Sequence, residues 1–159
     1  MLYRTLSIFA FFAFFTIGLL AFPACPAGAF ERCIMCGMDA QKSETKFSVN
    51  LVKGNKKIKP GKYSFCCLHC LVLLRAHLKD GKIDSITARD YNSITSGYDS
   101  GDMIPAEDAF YLVESSLRPN GSMVPFMLVF ANRKTAEIYK KAYSGKILKW
   151  TEILEYTKP

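Results

Sequence analysis

Five cysteines fall into two tight groups, Cys33-Ile34-Met35-Cys36-Gly37-Met38 and Cys66-Cys67-Leu68-His69-Cys70; the sixth, Cys25, stands apart in an apolar N-terminal stretch. A C-x-x-C spacing on a turn puts both sulfurs on one side, and two such groups brought together by the fold supply a tetrahedral thiolate site. Gly37 follows the first pair, where the backbone must reverse. The second group sits where a strand-like run meets helical spacing. Thiols near a helix N-terminus feel the positive end of its dipole, which favours the thiolate. A buried thiolate without a cation is costly, so the pattern calls for a metal or a disulfide.

Softness narrows the metal. Thiolate and thioether donors select Cu(I) or Zn(II) over magnesium or calcium. Copper(I) is the leading expectation and zinc the alternative. The expected ligands are Cys33, Cys36, Cys66 and Cys70, with Cys67 and Met38 as exchange or auxiliary donors and His69 and Met123 behind them. Five thiols are one more than a tetrahedral site requires, and a spare donor suits a carrier that hands its ion on. Three other readings use the same residues. One is a structural zinc module. Another is a thiol–disulfide oxidoreductase built on Cys67-Leu68-His69-Cys70. The last is a pair of structural disulfides with one thiol left over. No Ser/His/Asp set, paired carboxylates or phosphate loop points to other catalysis.

Charge and length exclude further classes. The chain of 159 residues carries +7, but the basic residues are scattered. They are densest at 53–62, a stretch with Gly and Pro that reads as a loop, so no nucleic-acid partner is expected. At the N-terminus, Arg4, an apolar run over 6–22 and Ala27-Gly28-Ala29 have the order of a secretory signal. Residues 1–29 are therefore expected to be a signal peptide or, uncleaved, an anchor, since the run is at the lower edge of spanning length. Phe22-Pro23-Ala24 is a poor lipidation signal before Cys25. Either route places the remainder in the periplasm or cell envelope, touching a membrane only through that segment.

One pattern occurs twice after the signal. Alternation over 47–52 and 62–66 predicts two strands, helical spacing over 68–79 a helix, and 82–87 a third strand. The second half repeats the order with strands at 109–115 and 124–130, a helix at 133–143 capped by Asn132, and a last strand at 146–153. Gly81-Lys82-Ile83 and Gly145-Lys146-Ile147 stand at equivalent points. The expected fold is α+β, two similar β-β-α-β units duplicated from one of about 60 residues. A Cys-rich unit at 30–91 is joined to a second unit at 106–159 by a linker at 92–105.

The sequence resembles two related families. Arg32-Cys33-Ile34-Met35-Cys36-Gly37-Met38, followed by Tyr63-Ser64-Phe65-Cys66 and Cys70, is similar to the TRASH/YHS metal-binding pattern. From Arg32 onward the chain resembles NosL-type proteins, copper chaperones linked to nitrous-oxide reductase. Ala106 to Ser115, Pro119-Asn120-Gly121, Pro125-Phe126 and Lys134 to Ile153 echo that family's later motifs. The resemblance implies paired β-β-α-β units, Cu(I) held by Cys and Met, and a copper-acceptor client. Two departures stand out. Asn120 replaces the methionine of the family's Pro-Met-Gly turn, leaving Met123 as a substitute donor, and the dense Cys66–Cys70 group is additional. Both suit a relative that serves a different client.

Overall fold

The computed structural model describes residues 31–95 and 101–157. The expected signal and Cys25 lie outside them. Among the described residues no helix is long and apolar enough to cross a membrane.

Alternating side chains build the first sheet. Strand β1 (Phe47–Lys53) buries Phe47, Val49 and Leu51 and turns Asn50 outward, as a sheet with one face on a core requires. It lies between β2 (Gly61–Phe65) and β3 (Lys82–Arg89), antiparallel to both, with Phe47 opposite Phe65 and Ala88. Helix α1 (Leu68–His77) connects β2 to β3 and buries Leu68, Cys70, Leu71 and Leu74. The second unit repeats this topology. Strand β5 (Phe110–Val113) lies between β6 (Met127–Phe130) and β7 (Lys146–Leu148), and α2 (Arg133–Tyr143) connects the flanking pair. In both units the first strand is central, and the element order follows the expected repeated α+β pattern.

The second sheet joins the units through its pleat. Tyr111, Val113, Met127 and Val129 face a buried cluster that also holds Phe47, Phe65, Leu71, Leu74 and four cysteines. The alternate residues Leu112, Leu128 and Phe130 pack with Ala136 of α2. Asn132 caps α2 by accepting the Thr135 N–H on Oδ1 at 2.8 Å, as its position suggests.

Two expectations are corrected. The final strand, expected over 146–153, stops at Leu148. Lys149 then begins helix α3 (Trp150–Tyr156), and its N–H donates to Glu152 Oε2 at 2.7 Å. Trp150 and Ile153, three apart, enter the common core together, so helical spacing overrides an alternation that continued by chance. The span 92–105 is also more than a linker. A 3₁₀ turn at Tyr91–Ser93 packs Tyr91 edge-on against Phe130, with centroids 6.0 Å apart. Strand β4 (Met103–Pro105) then adds to β3, giving the order β2-β1-β3-β4.

Leu74 and its neighbour Leu73 give a direct check of this packing. Leu74 is fully buried and Leu73 is 37% exposed. Leu74→Ala is expected to lower unfolding free energy by about 2–5 kcal/mol. Leu73→Ala is expected to stay within ~0.5 kcal/mol. Urea unfolding of the two variants measures the contrast.

Candidate metal centre

The first cysteine pair rides on a tight reversal. The Cys33 N–H donates to Met38 O and the Gly37 N–H to Cys33 O, both at 2.8 Å, and the Ala40 N–H closes the base on Glu31 O at 2.8 Å. Gly37 sits at φ +76°, a conformation that disfavours side chains. Backbone hydrogen bonding from Cys66, Cys36 and Met35 favours the Cys33 thiolate. The turn thus presents fixed dipoles to the sulfur it positions.

The second group is set by a strand end and a helix start. Strand β2 stops at Phe65, and Cys66 follows with its carbonyl clamped by two hydroxyls, Ser43 Oγ at 2.5 Å and Thr45 Oγ1 at 2.8 Å. Cys67 occupies the N-cap position of α1 in an extended conformation. Cys70 lies in the first helical turn. Arg89, buried, holds the clamp loop by donating to Gln41 O at 2.9 Å and Ser43 O at 2.8 Å. Sequence reasoning did not find Ser43, Thr45 or Arg89, because their importance lies in contacts across 21 to 48 residues of chain.

The sulfurs of Cys33, Cys36, Cys66 and Cys70 all lie within 4.8 Å of one another. Cys66 Sγ is 3.4 Å from Cys36 Sγ and 3.7 Å from Cys70 Sγ. Tetrahedral bonds of about 2.3 Å place sulfurs ~3.8 Å apart, so the spacing suits a soft cation with little rearrangement. Cys33, Cys66 and Cys70 are buried, whereas Cys36 is exposed. All five described cysteines are free thiols.

Mutual hydrogen bonding splits the thiols into two kinds. The Cys66 thiol lowers Cys33 to about 4, with backbone N–H groups helping and burial opposing. It also lowers Cys67 to about 6, again against burial, with the N–H groups of Cys70 and Met123 assisting. Cys66 itself is pushed far up, first because its proton is shared with Cys33 and Cys67 and then by burial. Burial, followed by the charges on Cys67 and Cys33, pushes Cys70 up. The metal-free cluster therefore keeps thiolate on Cys33 and Cys67 while Cys66 and Cys70 stay protonated. A cation entering must displace the remaining protons.

The other expected donors are placed less centrally. Met38 and Met123 are half-buried against the common core, and the former ends the cysteine turn through its carbonyl. Cys67 lies outside the four-sulfur set, yet its Sγ is 3.7 Å from Cys66 Sγ. His69 lines a groove of about 270 Å³ with Val72, Leu73, Pro125 and Tyr156. Asn120 acts as a brace, its N–H and side-chain amide donating to Glu44 at 2.8 and 2.9 Å. The following Gly121 packs so closely that a Cβ there would lie 2.8 Å from Ser43 Cα.

Fold and site together define a duplicated α+β protein with a thiol cluster suited to a soft metal ion. The chain belongs to the NosL family, whose model matches residues 26–157. It is also similar to the crystal structure of the copper chaperone NosL from Shewanella denitrificans. That likeness has 21% identity and a TM-score of 0.57, and covers 76% of this chain and 87% of that one. A comparison with curated proteins finds no match.

The uneven thiol protonation gives a pH prediction. A lowered value keeps a thiol ionised above it and protonates it as pH falls through it. Thiolate absorbance of reduced, metal-free protein should therefore persist at neutral pH. It should fall on acidification through about 6 and again towards about 4. Cys67→Ser should remove the upper step. An anaerobic ultraviolet titration measures both, and absorbance lost entirely above pH 8 contradicts the assignment.

Proposed function

We propose that this protein is an extracytoplasmic Cu(I) carrier that holds its ion on Cys33, Cys36, Cys66 and Cys70 and passes it to a copper-acceptor client. The observation that carries the reading is the convergence of four thiol sulfurs within 4.8 Å, three buried and one exposed. An all-sulfur donor set favours Cu(I) among biological cations, with zinc the next choice. Membership of the NosL family supports copper. So does the fold shared with a protein described as a copper chaperone.

The exposure pattern suggests how the ion leaves. Cys36 stands at the rim, so an acceptor's thiolate or thioether can displace it while Cys33, Cys66 and Cys70 still hold copper. Each bond broken is then matched by one formed, and the ion never becomes free. The buried Cys67 is a poorer rim ligand, which moves the exchanging role to Cys36. The signal-like segment over 1–29 supports an extracytoplasmic setting, where an acceptor would be met.

A static zinc ion in the same thiols is the second reading, favoured by the burial of three sulfurs in the common core. The two differ in exchange, since a structural zinc is released only with unfolding. Disulfide chemistry at Cys67 and Cys70 is disfavoured because both are buried, whereas attacking thiolates need access.

Anaerobic purification followed by competition with a chromophoric Cu(I) chelator tests the carrier. Wild type should retain copper and surrender it quickly to a competing thiol. Cys36→Ser should weaken retention at least ~10-fold, about 1.4 kcal/mol. Cys66→Ser should abolish it. Zinc held without exchange, or stability indifferent to added Cu(I), overturns the reading.

A further inference from the structure

The fifth thiol has no part in a one-ion centre, yet it is built into the cluster. Cys67 is only 4% exposed. Its sulfur lies 3.7 Å from Cys66 Sγ, at the N-cap position of helix α1. A buried sulfur at a helix start, in contact with a ligand sulfur, is placed to bring in a second cation.

Cys66 Sγ is the hub of the group. It is 3.4 Å from Cys36 Sγ and 3.7 Å from both Cys70 Sγ and Cys67 Sγ, and within 4.8 Å of Cys33 Sγ. A single tetrahedral ion would occupy the side of Cys66 that faces Cys33, Cys36 and Cys70. The side facing Cys67 would remain unused. A thiolate sulfur has lone pairs enough to bridge two soft cations, and Cu(I) accepts two or three sulfur donors where Zn(II) prefers four terminal ones.

Resting on the copper reading, we propose that the cluster takes up two Cu(I) ions bridged by Cys66 Sγ. Cys33 and Cys36 complete the first ion's donor set, and Cys67 brings the second ion in beside Cys70. Charge points the same way. Four thiolates around one Cu(I) leave three negative charges on a single ion in a largely buried site. Five thiolates around two Cu(I) leave the same three shared between two cations, easing a cost that burial makes large. The chemistry is ligand binding alone. Each copper–sulfur bond formed at a protonated thiol releases that proton to solvent, and no electron is transferred.

The test is the stoichiometry of anaerobically reduced, metal-free full-length protein titrated with Cu(I) and read by native mass spectrometry of the monomer. Wild type is expected to saturate at two Cu(I) per chain and to show a copper–copper shell in copper-edge X-ray absorption. Cys67→Ser is expected to keep the first ion and lose the second. Zn(II) should load one ion in both proteins. Wild type saturating at one Cu(I) without a copper–copper shell overturns the bridged pair and leaves the carrier standing, whether or not the variant folds. A Cys67→Ser protein that still holds two overturns the role of Cys67. Retention of no copper overturns both this inference and the carrier reading.

Discussion

Buried sulfur without a counter-charge is the constraint on which the rest of this structure depends. Cys33, Cys66, Cys67 and Cys70 lie in the same apolar cluster as Phe47, Phe65 and Leu71. As neutral thiols they would pack there like any small hydrophobe. Their close approach changes that. Once one sulfur can accept another's proton and several backbone N–H groups, the cluster ionises in part, and charge enters the core. Backbone dipoles and shared protons stabilise two thiolates. A full set of thiolates requires a cation, so the apolar core and the metal chemistry are aspects of a single arrangement.

Holding such a cluster needs rigidity from outside the cysteine turns, and the second unit supplies it. Asn120 is tied to Glu44, Gly121 presses on Ser43, and Met123 packs half-buried against the core that holds Cys67. Ser43 in turn clamps Cys66. The chain from the second unit to the site is thus a short run of hydrogen bonds and close packing. Glu31 adds a tie at the rim, accepting from Ser64 Oγ at 2.8 Å and pairing with Lys46. Sulfurs placed this way keep their spacing without an ion, which would lower the ordering cost of binding one.

Much of this was legible in the sequence, for physical reasons that differ by element. The sulfur convergence followed from spacing, because a C-x-x-C turn and a strand-to-helix junction each restrict where side chains point. The repeated topology followed from alternation in β1 and over 82–87, from short apolar runs at β5 and β6, and from the helical spacing of α1 and α2. Strand β4 was hidden because a three-residue edge strand carries too little pattern to stand out from its Ser/Gly/Asp surroundings. Helix α3 was hidden because 146–149 alternates like a strand before Trp150 and Ile153 reveal helical spacing. The hydroxyl clamp on Cys66 was hidden for a deeper reason. Ser and Thr pair with almost any carbonyl, so their types say nothing about which one they will meet.

The duplication sets the thiol-bearing unit beside a counterpart without cysteines. Both units run a strand ending in Phe, then one residue, then a helix N-cap: Phe65, Cys66 and Cys67 in the first, Phe130, Ala131 and Asn132 in the second. In the second unit the N-cap is satisfied locally, since Asn132 Oδ1 accepts both the Thr135 N–H and its hydroxyl, at 2.8 and 2.9 Å. In the first, Cys67 makes no cap of regular geometry, and its sulfur turns to Cys66 Sγ. A neutral oxygen at a helix start completes the helix and has nothing left to bind. A sulfur there leaves the helix N-terminus underused as a hydrogen-bond donor, and its positive end stabilises thiolate instead. At one repeated position the first unit thus carries a sulfur that contacts the thiol cluster, where the second carries an oxygen that completes its own helix.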